Sequence, residues 1–195
     1  MRCFLAVPVE PPALAEVQRL LRSLQGRLAD VRWVRPDALH LTVHFFGEIN
    51  DAQADAAIEA VADVVEQTSM FEVALDALGS FPPRGPARVL WLGVSREVPQ
   101  LTRLALGCRD ALAGAGFDVE TREFRAHCTL GRPRGWSQAA RAEWRALCAS
   151  PADVAAFSAV RLVLYESVSG QGGSIYVERA NLPFGPGGRS AARQP

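Results

Sequence analysis

The chain of 195 residues contains no lysine: all 21 of its basic residues are arginine, set against 21 acidic residues for a formal net charge of zero. A protein that coats nucleic acid through a broad cationic face carries a clear basic excess, so that class is excluded, while a small site for one phosphate is still allowed. Cysteine is sparse, and Cys3, Cys108, Cys128 and Cys148 form no C-x-x-C pair. That excludes a zinc ribbon or a disulfide framework and leaves reduced, buried thiols as the expectation. No apolar run approaches the ~20 residues needed to cross a bilayer. The apolar first nine residues lack the basic stretch and cleavage site of a signal peptide, so a cytoplasmic protein without a membrane partner is expected. Neither G-x-G-x-x-G nor G-x-x-x-x-G-K-[ST] occurs, which argues against a dinucleotide fold or a P-loop.

What is present is 49% hydrophobic and 22% charged residues, the composition of one large globular domain or two small lobes. Strand and helix patterns alternate. Met1–Val9 reads as a strand, and Ala13–Leu28 carries a helical stripe of Leu14, Val17, Leu20, Leu21, Leu24 and Leu28. Leu39–Phe46 reads as a strand closing at Gly47, followed by a helix from a capping Asp51 to Glu66. Strands are expected at Phe71–Leu78 and Val89–Val94, then a helix from Pro99 to Ala113 that ends at Gly114-Ala115-Gly116. A strand over Phe124–Leu130 leads to a helix capped by Ser137 and running through Leu147. Strands at Phe157–Glu166 and Ser174–Arg179 close the pattern around a glycine-rich turn. Residues 185–195 read as a flexible tail of Gly, Pro and Arg. Hairpins mixed with helices give an α+β fold with antiparallel sheets rather than a parallel doubly wound one.

Only three histidines occur, His40, His44 and His127, and the chain has five threonines. Yet His40-Leu-Thr42-Val and His127-Cys-Thr129-Leu repeat one pattern, 87 residues apart. Chance would supply that threonine to two of three histidines about twice in a thousand. On a strand, residues i and i+2 share a face, so each motif presents an imidazole beside a hydroxyl. Two such strands brought together would surround one small anion with two imidazoles and two hydroxyls. One neutral and one protonated imidazole make a general base and a general acid for phosphoester cleavage, and the hydroxyls would hold the non-bridging oxygens. Which histidine takes which role is open at this level. His44, by strict alternation, shares the face of His40 and Thr42 as a partly exposed neighbour, ~13 Å from His40 along the strand. That is too far to share a metal, so no metal and no cofactor are expected. Arg122 and Arg125 interleave with Glu120 and Glu123, a balanced surface edge.

Taken together, the motifs resemble the 2H phosphoesterase superfamily. The segment Arg32-Trp-Val-Arg-Pro-Asp-Ala-Leu-His-Leu-Thr-Val-His-Phe-Phe-Gly-Glu48 is similar to the first signature of the RNA 2′,3′-cyclic phosphodiesterases, once named 2′-5′ RNA ligases. Phe124-Arg-Ala-His-Cys-Thr-Leu-Gly-Arg132 is similar to the second, with Ala126 where a proline is usual. Arg2-Cys-Phe-Leu-Ala-Val, Arg88-Val-Leu-Trp-Leu-Gly-Val and Leu164-Tyr-Glu-Ser-Val extend the resemblance over residues 1–184. It implies a single bilobal α+β domain over 1–184, two pseudo-symmetric lobes around a central cleft, in a monomer. It implies metal-independent hydrolysis of RNA or nucleotide 2′,3′-cyclic phosphate ends to 2′-phosphomonoesters. His40 would be the proton donor, His127 the proton acceptor, and Thr42, Thr129 and Arg132 the phosphate-holding residues. Sister activities on 2′-5′ linked oligonucleotides or an ADP-ribose cyclic phosphate, or a non-catalytic RNA-end binding module, would use the same frame. With few phosphates to contact, the rate is expected to vary only modestly with salt. A titration in sodium chloride checks this, and a steep collapse between low and moderate salt would contradict a site built around one phosphate.

Overall fold

A computed structural model describes residues 1–150, 155–170 and 173–186. The chain runs β1 (Arg2–Pro8), α1 (Ala13–Arg27), β2 (Val31–Trp33), β3 (His40–Glu48), α2 (Asp51–Glu66), β4 (Phe71–Leu75), β5 (Ala77–Phe81) and β6 (Val89–Gly93). It continues through α3 (Pro99–Gly114), β7 (His127–Pro133), α4 (Gln138–Ala149), β8 (Ala155–Ala159), β9 (Arg161–Gly170) and β10 (Gly173–Pro183). One antiparallel sheet has the order β10-β9-β1-β3-β7-β6-β5, with β2 added beside β7, and β4 pairs with β8 in a second, two-stranded sheet. This is the α+β class that the alternating pattern predicts.

The path β9-β1-β3 is mirrored by β5-β6-β7, and the two triplets meet where β3 pairs β7. The second sheet, β4 with β8, repeats the same relation one strand later in each half. Each half therefore runs strand, helix, strand, helix, strand, and the halves join through like strands. The core beneath is aliphatic: Leu5, Leu21, Leu41, Leu75, Leu92, Leu112, Leu130 and Leu164 are all fully buried.

Local departures from the sequence reading have local causes. The stretch read as one strand over Phe71–Leu78 is two, because the chain crosses between sheets at Asp76. There the Asp76 carboxylate accepts from the Ser95 amide and hydroxyl, both at 2.6 Å, and its own amide donates to the Gly93 carbonyl. The stretch over Phe157–Glu166 divides likewise into β8 and β9 at Val160, each half pairing in a different sheet. The strand expected from Phe124 starts only at His127, since residues 117–126 make local pairs such as Arg122–Glu120 instead of a ladder. β2 is too short to show a period and has no counterpart in the sequence reading. Helix α2 is capped by Asn50 rather than Asp51. The Asn50 side chain accepts from the Gln53 amide, and the Gln53 side chain accepts from the Asn50 amide. Ser137 caps α4 as anticipated. Most of the tail read as flexible, residues 187–195, lies outside the described residues.

That reciprocal cap satisfies two amides that the first turn cannot. Asn50→Ala is expected to lower stability by about 1 kcal/mol. The check is a urea unfolding midpoint that falls with its m-value unchanged.

Candidate active site

In both motifs the local build is the same. The Nδ1–H of His40 donates to the Ala38 carbonyl at 2.8 Å, and that of His127 to the Arg125 carbonyl at 2.7 Å, each two residues upstream. A carbonyl only accepts, so these bonds fix the proton on Nδ1 and leave Nε2 bare as the reactive nitrogen. The Thr42 hydroxyl reaches His40 Nε2 at 3.1 Å. Aromatic rings hold the imidazoles. Phe4 stacks on His40 at 4.7 Å between centroids and Tyr176 meets it edge-on at 5.2 Å. Phe81 meets His127 edge-on at 4.9 Å, with Trp91 at 6.5 Å. Gly79 faces Trp91 across the β5–β6 ladder, and any Cβ there would collide with the indole ring, so the ring lies where only glycine leaves space.

The two halves meet at one registered pair, Leu41 with Cys128, the second residues of the two motifs. Both are fully buried. In an antiparallel pair the neighbours of such a contact are set by the same register: His40 lies across from Thr129, and Thr42 across from His127. The four side chains expected to work together thus share one face, each imidazole diagonal to the other.

A second symmetry lies one residue on. β3 carries an extra residue, Val43, between the pairs Leu5–His44 and Ala6–Thr42. β7 carries an extra residue, Leu130, between the pairs Leu90–Gly131 and Trp91–Thr129. The fourth position of each motif is therefore a bulge, which reverses the facing of the residues that follow, in β3 as far as a second bulge at Phe46. This corrects the expectation for His44. It does not share the face of His40 and Thr42 as a partly exposed neighbour. It turns inward, 6% exposed, with its ring edge-on to Phe46 at 4.6 Å and its Nε2 unpaired among the described residues. The same reversal brings Arg132 to the face of His127 and Thr129, where its charge acts on both His127 and Tyr176.

Burial dominates the electrostatics. It pushes His40 down to about 4, partly countered by the Ala38 carbonyl and reinforced by the nearby His127. His127 is also lowered, first by burial, with the Arg125 carbonyl opposing and the Arg132 charge adding. Both imidazoles are thus neutral near pH 7 in the free protein. A bound phosphate anion would favour their charged forms.

A model of the family described as LigT-like phosphoesterase matches the chain twice, over residues 7–91 and 92–176. The chain belongs to the LigT-like phosphoesterase family. Within that family, the RNA 2′,3′-cyclic phosphodiesterase of Archaeoglobus fulgidus is 36% identical over 132 residues, 68% of this chain and 72% of the relative. The RNA 2′,3′-cyclic phosphodiesterase of Geobacillus stearothermophilus is 30% identical over 164 residues, 84% of this chain but only 51% of the relative. Among solved structures, Escherichia coli LigT in its apo form has a TM-score of 0.77 at 22% identity, covering 94% of this chain and 97% of that one. A Thermus thermophilus protein has a TM-score of 0.77 at 22% identity, covering 97% and 100%. These likenesses establish the bilobal fold. The double match over consecutive halves is the sequence counterpart of the mirrored strand order in this LigT-like phosphoesterase.

The motif residues His40, Thr42, His127 and Thr129 are all legible in the sequence, and the structure brings them together. Phe4, Phe81, Trp91 and Tyr176, which hold the imidazoles, are not, because an aromatic on a strand reads as core until its partner is known. With folded pKa values below the unfolded ~6.5, the unfolded chain binds more protons than the folded one as pH falls from 6.5 toward 4. The histidine contribution to stability is therefore lost through that window, by about 1.4 kcal/mol per pH unit for His40. Imidazole titration by NMR, simple with three histidines, should place His40 near 4 and His127 below its unfolded value. A value for His40 at or above 6.5 would contradict the buried site.

Proposed function

We propose that this chain is a hydrolase that opens RNA or nucleotide 2′,3′-cyclic phosphate ends to 2′-phosphomonoesters, with no metal required. The observation that carries the reading is the Leu41–Cys128 pair, the junction of two H-x-T motifs whose imidazoles are both tautomerically locked with Nε2 bare. Two relatives that share 30–36% identity carry the name RNA 2′,3′-cyclic phosphodiesterase, which supports the substrate class.

In the reaction, His127 Nε2 takes a proton from water as the water oxygen bonds to phosphorus. The bond from phosphorus to the 3′ oxygen breaks, and the departing oxygen takes the proton held on His40 Nε2. Water is consumed, one proton is received and one given, and the 2′ ester bond is kept. Thr42, Thr129 and Arg132 hold the non-bridging oxygens, where charge is carried through the transition state. The donor role of His40 follows the family resemblance, and the incoming anion favours the charged form that a donor needs. This acid–base pair needs no Lewis acid. Both motifs come from one chain, which supports a monomer acting as one bilobal unit over residues 1–184. No helix among the described residues is long and apolar enough to cross a membrane, which is compatible with action in the cytoplasm.

The test is hydrolysis of adenosine 2′,3′-cyclic phosphate, and of a short RNA with that end, with EDTA present. His40→Ala and His127→Ala should each lower kcat about 10²–10⁴-fold with the fold intact by circular dichroism. Turnover unaffected by either substitution would put the chemistry elsewhere. The pH dependence has a definite sign. The free enzyme needs one imidazole charged and one neutral, and both are depressed, so kcat/KM should peak below pH ~6.5 and fall as pH rises beyond it. A kcat/KM maximum above pH 8 would sink the two-histidine mechanism.

A further inference from the structure

Two strands of the main sheet have no counterpart in its mirrored order: β10 at the edge, and β2. β2 lies ahead of the first motif and pairs across the junction with β7, Val31 to Pro133, Arg32 to Arg132 and Trp33 to Gly131. Val31 and Trp33 pack against the core. They lie so close over Gly131 that a Cβ there would come within 2.7 Å of Val31 Cγ1 and 3.0 Å of Trp33 Cε3. That close approach seats β2 firmly on β7. Arg32, between the two packed residues, is exposed. Residues directly opposite in an antiparallel pair share a face, so Arg32 stands beside Arg132, on the face of His127 and Thr129. Arg132 is the residue whose charge acts on His127 and Tyr176.

We propose that Arg32, beside Arg132, binds a second phosphate of the substrate, the phosphodiester that joins the reacting nucleotide to the one before it. This deepens the hydrolase reading and rests on it. The register holds two cations directly opposite each other, with Cβ atoms ~4.5–5.5 Å apart, an arrangement that costs stability unless an anion lies between them. Among the described residues neither arginine has an acidic partner within ion-pair distance. One step along the ladder Arg134 is bonded across to Asp30, an acidic residue, so the uncompensated charge is confined to one pair. At the other end of the motif strands, beside Thr42 and His127, the arginines are neutralised: Arg109 by Asp110, Arg122 by Glu120 and Arg125 by Glu123. A phosphate beyond the reacting one therefore finds free positive charge at the β2 end. Arg132 serves the reacting phosphate, and Arg32 stands one strand farther out, ~4.8 Å on. A guanidinium is planar and always charged, with paired donors that match two phosphate oxygens. An RNA end carries this second phosphate and a nucleoside cyclic phosphate does not, so Arg32 favours RNA ends over single nucleosides.

The experiment compares calorimetric affinities for adenosine 2′-monophosphate and adenosine 2′,5′-bisphosphate, whose second phosphate sits on the oxygen through which RNA continues. The proteins are the wild type, Arg32→Ala, and Arg22→Ala as a control for loss of an exposed arginine on α1. The wild type is expected to bind the bisphosphate about tenfold more tightly, and Arg32→Ala to lose about tenfold more on the bisphosphate than on the monophosphate. The slope of log affinity against log salt should be steeper by ~0.7 for the bisphosphate in the wild type, and that excess should vanish in Arg32→Ala. Equal wild-type affinities, an Arg32→Ala loss that falls equally on both ligands, or the same loss in Arg22→Ala would overturn the second phosphate site. Wild-type hydrolysis of adenosine 2′,3′-cyclic phosphate is followed in parallel. Tighter, Arg32-dependent bisphosphate binding without turnover would overturn the hydrolase reading and leave the site standing; turnover with equal affinities would do the reverse.

Discussion

A single main-chain register, Leu41 against Cys128, is the constraint on which the site depends. The two residues are the inward-facing members of the two motifs, and burying them is what turns His40, Thr42, His127 and Thr129 outward together. Slipping either strand by one residue would send a histidine into the aliphatic core and a leucine or cysteine into the cleft. Hydrophobic burial and the geometry of the reaction are thus enforced by the same contact. The thiol at this position is ordinary in that role: burial pushes Cys128 up to about 12, so it behaves as a small apolar side chain.

The bulges that follow each threonine have an equal share in the result. Without them, strict alternation would turn Arg132 away from the anion and expose His44 on the reacting face. With them, a guanidinium joins one imidazole, while a third imidazole is taken out of the way and kept neutral by burial. A catalytic pair of histidines works only while other titrating groups do not compete for the same protons. The inward turn of His44 removes one.

How much of this can be read from the chain follows from what kind of information each feature needs. The repeated H-x-T spacing, the strand character around it and the α+β class are local, and all three are legible in the residues themselves. Ser137 as a cap is local too. The breaks at Asp76 and Val160 are not, since each is a point where the chain leaves one sheet for another, and that exchange depends on partner strands distant in sequence. The bulges at Val43 and Leu130 are also invisible to alternation, because they exist only relative to the partner strands β1 and β6. This is why alternation misplaces His44 yet places Thr42, one residue before the bulge, on its true face. The aromatic collar around the imidazoles comes from β1, β5, β6 and β10, distant in sequence from the residues it holds.

The carbonyl locks on the two Nδ1 atoms have a further consequence for the cycle as a whole. In the proposed reaction His40 ends each round without its proton and His127 ends with one too many. Because Nδ1 of each ring is tied to Ala38 or Arg125, the rings do not turn over to trade protons through their far side. Resetting therefore runs through Nε2, the nitrogen that each Nδ1 lock leaves for exchange. In the proposed cycle the proton that His127 gains and the one that His40 lacks are thus exchanged at the nitrogens that face the substrate, which couples release of the product to recovery of the enzyme's resting charge state.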